Sequence, residues 1–272
     1  MPGIEQFLMD VAEVDLVSWK NQVTAADRFG VSLGEIEEKI LTLGLLPARY
    51  QRNRKMFNIA QQLVFCRSHV AVIGCGGLGG YVIEQLARLG VGKITAIDPD
   101  VFEEHNLNRQ ILSSPKLLGV PKVDAALARI NDINPAILLV PLPQLFNQEN
   151  GAKLLEGADV VVDAVDNVAA RMALGDVCSC LGVPLVHGAI AGWFGHISTQ
   201  FPGDKTLDKL YGRSDNSPGI ERHLGNPSFT PGVAASFEVA EVCKILLGEG
   251  ELLRNRKLHL DLLAMEVEET PL

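Results

Sequence analysis

The chain has 272 residues, 47% hydrophobic and 21% charged, enough for one large core plus a small appendage and unlike the composition of a disordered chain. Its net charge of −9, from 24 basic and 33 acidic residues, offers no general basic face for nucleic acid and says nothing against one nucleotide in a local pocket. Cys66, Cys75, Cys178, Cys180 and Cys243 form no even disulfide framework, and the acidic N-terminus lacks the basic-then-apolar order of a signal peptide. No apolar run reaches the roughly 20 residues that span a bilayer, so the chain reads as cytoplasmic with reduced thiols and no membrane partner.

Residues 1–47 form a small helical appendage. Within it, 32–44 reads as one capped helix, with Ser32 at the N-cap, Glu35 completing a capping box and Gly44 stopping it before Pro47. A shorter helical stretch covers 24–29. Two helices around a turn suggest a DNA-binding pair, but Glu35, Glu37 and Glu38 make the pair acidic, which favours docking or dimer packing.

From residue 69 strands and helices alternate. Strands are expected at 69–74, 93–98, 137–141, 159–163 and 184–187, and helices at 80–89, 122–130, 148–155 and 168–181. This order predicts right-handed βαβ units and a mainly parallel sheet. Residues 192–201 then pair antiparallel with the tail, a polar segment without clear period covers about 203–230, 231–247 is helical, and 257–268 supplies two closing strands. The fold class is therefore α/β, a Rossmann-like doubly wound sheet with antiparallel C-terminal strands. The domain bounds are 1–47 for the appendage and 48–272 for the nucleotide-binding domain.

Gly74-Cys75-Gly76-Gly77-Leu78-Gly79 matches G-x-G-x-x-G between a strand and a helix, where glycines let the backbone approach a phosphate on exposed helix amides. Asp98 ends the next strand about 20 residues on, where a carboxylate can accept from ribose hydroxyls. This motif does not separate NAD from ATP. Further along stand Arg109, Lys122 and Asp166, the cations and the metal-holding carboxylate that attack on an α-phosphate requires. Taken singly, Arg109 and Lys122 could equally be solvated surface charges, and Asp166 a helix cap.

Together, RYQRN at 49–53, VIGCGGLGG at 72–80, AIDPD at 96–100, NLNRQ at 106–110, GVPKVDAA at 119–126, INP at 133–135 and DAVDN at 163–167 resemble the ThiF/MoeB/HesA family of ubiquitin-activating-enzyme-like adenylyltransferases. The resemblance implies that Gly74, Gly76, Gly77 and Gly79 form the nucleotide turn, with Asp98 on the ribose. It puts Asn106, Arg109 and Lys122 on the phosphates, and Asp100, Gln110 and Asn167 beside them. Asp166 would position Mg²⁺, and Arg52 would reach the ATP of a second subunit, which makes the enzyme a homodimer. The implied reaction is adenylation of the terminal glycine of a small MoaD- or ThiS-like sulfur carrier ending in Gly-Gly, with pyrophosphate released.

The sequence departs from the family in lacking the two C-x-x-C pairs of a structural zinc site, and Cys178 and Cys180 read as ordinary buried thiols. Cys66 and Cys243 read as core. Segment 203–230 has no cysteine, so the reaction is expected to stop at the adenylate rather than form an enzyme thioester. Lys205, Lys209, Arg213, Arg222 and His223 in that segment are either guides for an acidic tail or solvated loop charges. His196 stands where relatives often carry glutamine. Competing readings are adenylation of a peptide or a tRNA-borne carboxylate, an NAD-dependent oxidoreductase, which leaves Arg52, Arg109 and Lys122 unexplained, and an inactive scaffold half.

Overall fold

The computed structural model describes residues 3–212 and 224–272. Its centre is an eight-stranded sheet. Strands β3 (His69–Ile73), β4 (Lys93–Ile97), β5 (Leu138–Leu142), β6 (Val160–Asp163) and the start of β7 (Leu185–Ala191) run parallel in the order β5-β4-β3-β6-β7. Antiparallel strands β8 (Phe194–Gln200), β9 (Arg256–Asp261) and β10 (Glu266–Pro271) extend it beyond β7.

The strands read as unbroken apolar runs because both faces are covered. Val70 and Val72 of β3 point into one core, against helices α5 (Gly77–Leu89), α6 (Lys122–Ile133) and α10 (Phe229–Leu247). Ala71 and Ile73 point into the other, against α7 (Gly151–Leu154), α8 (Val168–Leu181) and α9 (Thr206–Tyr211). The doubly wound sheet with antiparallel C-terminal strands is as read from the sequence. Helix α5 starts three residues earlier than expected, because glycines 77, 79 and 80 are helical. The segment read as periodless holds α9 and the first two residues of α10.

The N-terminal residues form α1 (Ile4–Asp10), α2 (Trp19–Phe29) and α3 (Leu33–Thr42), with strands β1 (Leu16–Val17) and β2 (Leu46–Pro47) paired parallel. Ser32 and Glu35 make the expected capping box. Helix α1 went unread, since its seven residues bury only Leu8. Helix α2 begins at Trp19, capped by Ser18, rather than at 24.

This unit is bolted to the sheet domain through Glu37 of α3. Its carboxylate accepts from the Tyr50 hydroxyl (2.9 Å), which in turn accepts from Asn134 Nδ2 (2.9 Å). Tyr50 packs so close under Gly90 that a Cβ there would lie 2.6 Å from its hydroxyl. Burial pushes the Glu37 carboxyl up to about 7, against the opposing pull of the Arg49 guanidinium 3.4 Å away.

A carboxyl raised in the folded state favours folding below its unfolded value near 4.5, and that contribution is lost as pH rises through about 7. Glu37→Gln keeps an acceptor for Tyr50 without the charge. Thermal melts of both proteins from pH 5 to 8 should show the variant gaining on wild type as pH rises, by up to about 1.4 kcal/mol per pH unit. Parallel curves would sink this account.

Candidate active site

The glycine turn lies between β3 and α5 at the carboxyl end of the parallel strands. Gly74 has φ +95°, and a Cβ there would meet Ala164 O at 2.5 Å. At Gly79 a Cβ would lie 1.8 Å from Gly74 O. Two backbones approach more closely here than any side chain permits. No side chain caps α5, so its first amides stay open toward the turn.

Asp98, just past β4, fixes the turn from below. Its carboxylate accepts from Cys75 N (2.7 Å) and Asp100 N (2.8 Å). Burial raises its pKa, with Lys122 opposing. Lys122 Nζ is buried, 2.9 Å from Asp100 Oδ2 and 3.9 Å from Asp98 Oδ1. It is no solvated surface charge.

These groups open onto a cavity of about 340 Å³. Gly74, Gly76, Gly77, Asp98, Asp100, Arg109, Gln110, Lys122, Asp166 and Asn167 all line it. Burial lowers the Arg109 pKa, and its guanidinium donates to His105 O and Asn108 Oδ1. Asp166 is exposed, and among the described residues its carboxylate accepts only from Asn167 Nδ2 at 3.5 Å. Asn167, not Asp166, is the N-cap of α8.

The cavity suits a nucleoside triphosphate. It combines open helix amides, three cations in Arg109, Lys122 and Arg171, and an exposed carboxylate, Asp166, able to hold Mg²⁺. Two further amide oxygens, Gln110 Oε1 and Asn226 Oδ1, are buried in its wall without hydrogen-bond partners. Its size lies within the range of ligand pockets.

Three expected site residues fall elsewhere. Asn106 does not line the cavity; its Oδ1 accepts from Glu103 N (2.9 Å) and caps the short turn that carries Arg109 and Gln110. Gly79 is absent from the lining because it packs against Gly74 instead. Arg52 is exposed and does not line the cavity of its own chain, as expected of a residue read as reaching a second subunit.

The cysteine reading also needs correction: Cys178 is buried, but Cys180 is exposed and Cys66 only half-buried. No group of three or more His, Cys, Asp or Glu among the described residues could hold a metal on its own. Lys209 is engaged, donating to Leu272 O at 3.0 Å, whereas Lys205 is exposed. Arg213, Arg222 and His223 lie outside the described residues. No helix among the described residues is long and apolar enough to cross a membrane.

Sequence reading missed a buried polar network at the cavity floor. Asp163 Oδ2 pairs with Arg171 Nε (3.0 Å) and His187 Nδ1 (2.7 Å). Burial alone would raise the Asp163 carboxyl, but Arg171 and His187 hold it below the ordinary value. His187 Nε2 meets His196 Nε2 (3.2 Å) and the Tyr211 hydroxyl (3.0 Å), and that hydroxyl also accepts from Arg171 Nη1 (2.6 Å). Burial lowers both histidine pKa values, leaving the rings neutral near pH 7. On the α10 side, Glu238 presses its carboxyl against Gly188, and burial raises it well above the carboxylate range.

A second, apolar cavity of about 410 Å³ adjoins the first, sharing Asp166, Asn167, Arg171, Ala189 and Ile190 with it. Phe194, His196 and Tyr211 line its far part. The pair of cavities lies at the carboxyl end of a Rossmann-like sheet, where this class of fold binds nucleotides.

Comparison with known proteins gives the class a family. The ThiF family model matches residues 50–272, and the chain belongs to that family. Its enzyme class is adenylyltransferase of the ubiquitin-activating-enzyme-like superfamily. The SAMP-activating enzyme E1 of Haloferax volcanii is 37% identical over 207 residues, 75% of this chain and 76% of that one. The molybdopterin-synthase adenylyltransferase of Escherichia coli is 32% identical over 231 residues, 82% of this chain and 92% of that one. The chain spans about half the length of other curated relatives, 56% for the Arabidopsis thaliana adenylyltransferase and sulfurtransferase MOCS3. A solved structure of E. coli MccB with MccA-N7isoASN shares the fold over 97% of this chain and 81% of that one, with TM-score 0.72 at 21% identity.

Two substitutions test the local physics. Gly79→Ala drives a Cβ into a backbone oxygen and should cost more than about 3 kcal/mol in urea unfolding, with nucleotide binding lost by calorimetry. Asp163→Asn strips the counter-charge from buried Arg171 and should cost about 3–5 kcal/mol in the same assay. A loss under about 1 kcal/mol would show the pair to be replaceable.

Proposed function

We propose that this chain uses Mg-ATP to adenylate the C-terminal glycine carboxylate of a small ubiquitin-like sulfur-carrier protein. The observation that carries the reading is the junction of the two cavities: the cationic, glycine-floored one meets the apolar one at Asp166, Asn167 and Arg171. An extended Gly-Gly tail suits this apolar cavity, since glycines carry no side chain to exclude and the tail's carboxylate would reach the junction with the nucleotide cavity.

In this scheme a carboxylate oxygen of the tail attacks the α-phosphorus, the bond from that phosphorus to the bridging oxygen breaks, and pyrophosphate leaves with the electron pair. The carboxylate is already ionised, so no base is required. Lys122 and Arg109 offset the charge that gathers on the phosphates, and Asp166 would hold Mg²⁺, which would supply further neutralisation of that charge. Asp98 and Asp100 sit where the ribose and its neighbouring phosphates would lie, and Gln110 and Asn167 supply amides along the same wall. Asn106 acts one step back, by fixing the turn that presents Arg109.

Arg52 serves the site of a second copy. Its exposure and its absence from the lining of its own cavity fit a residue that acts across a homodimer interface, in which each half lends the other a cation.

ATP–pyrophosphate exchange in the presence of each Gly-Gly-ending small protein of the same genome tests the reading. Exchange should appear with one carrier and fall by about 10²-fold or more in Asp166→Ala and Arg52→Ala. ATP binding without exchange for any carrier would transfer the reading to a peptide or tRNA-borne carboxylate.

A further inference from the structure

The N-terminal unit grips the chain on both sides of Arg52. Ahead of it, the Arg49 guanidinium lies 4.9 Å from the Trp19 ring centroid and 3.4 Å from Glu37, and Tyr50 donates to the same Glu37. Behind it, Arg54 makes a two-pronged ion pair with Asp15: Nη1 donates to Oδ1 at 3.2 Å and Nη2 to Oδ2. Between these holds the backbone folds into consecutive turns, with Asn53 N donating to Tyr50 O (2.9 Å) and Phe57 N to Asn53 O (2.9 Å).

Asp15 is itself fixed in place. It follows Val14, a fully exposed β-branched residue held at φ +62°, in a tight turn closed by both hydrogen bonds between Glu13 and Leu16. A left-handed valine is strained, and such strain persists only where the surroundings enforce it. Leu46 N donates to Asp15 O at 2.8 Å and anchors the same residue from β2.

An exposed ion pair adds little to folding. Its geometric effect is larger, because a fork-to-carboxylate pair fixes orientation as well as distance. We infer that Asp15, acting through Arg54, is a positioning residue that sets the segment carrying Arg52 so that this arginine meets the partner subunit's nucleotide. The N-terminal unit thereby works on the neighbouring site rather than on its own. This rests on the trans role of Arg52 proposed above.

The test uses co-expressed, differently tagged full-length chains and pyrophosphate exchange. Asp15→Ala homodimers should melt within a few degrees of wild type, keep their apparent KM for ATP, and lose about tenfold in kcat, the pattern of an interaction made in the transition state. In a heterodimer of one Asp15→Ala chain and one Asp166→Ala chain, the only complete site receives its Arg52 from a chain with Asp15 intact. Activity should then recover to about half of wild type, as one of two equivalent sites.

Unimpaired Asp15→Ala homodimers would overturn the inference. So would failure of that heterodimer to recover while an Arg52→Ala with Asp166→Ala heterodimer does, since Asp15 would then act within its own subunit. If neither heterodimer recovers, the trans role of Arg52 falls, and the inference with it.

Discussion

The active-site end of this protein depends on one close approach, that of Gly79 to the carbonyl of Gly74. It sets the start of α5 directly against the end of β3 and leaves the helix amides facing open space instead of a capping side chain. Asp98 makes this stable by accepting from Cys75 N and Asp100 N, so the next strand closes the turn. Asp100, with Asp98 behind it, holds Lys122 in a buried position that a lone ammonium would not occupy. A backbone contact thus helps to dictate where a buried cation sits in the cavity wall.

A second constraint comes from Asp163, which has no exposed surface and is charged. A carboxylate so placed is tolerable only with a guanidinium and an imidazole both committed to it. Arg171 meets this need while also reaching the Tyr211 hydroxyl, and His187 passes the connection to His196. The result ties β6, β7, β8, α8 and α9 together beneath the junction of the two cavities. Helix α9 is short and buries little beyond Thr206 and Leu207, so this polar tie is a large part of what seats it.

Much of the sheet was legible because strands buried on both faces leave apolar runs of the right length between turn glycines. The glycine turn, Asp98 and Asp166 were legible for a related reason: they follow strand ends, and Lys122 opens α6 beside them, so the doubly wound topology brings chain-distant residues together. What was not legible lacked a local signature. Helix α1 is short and half-exposed, and α9 interrupts a polar stretch. Asn106 carries a motif residue's identity but spends its side chain on its own turn. The partners of Asp163 lie 8 and 24 residues away in Arg171 and His187, and Tyr211, which joins both of those partners, lies 48 away, separations at which only the fold supplies the contact.

The N-terminal unit shows where motif reading and structural reading diverge. Arg49, Tyr50 and Asn134 belong to stretches that resemble a catalytic family, yet all three are engaged in joining α3 to the sheet domain. A residue can recur in a motif because it holds the frame at a set distance from the chemistry. The buried Tyr50 fixes where the chain leaves the core, and the next exposed cation, Arg52, inherits its position from that exit. Under the proposal that a second copy completes the site, an outward-facing arginine is useful only if its base is rigid. The Glu37–Tyr50–Asn134 chain provides that rigidity at one end of the segment, at the cost of a carboxyl buried near its titration point.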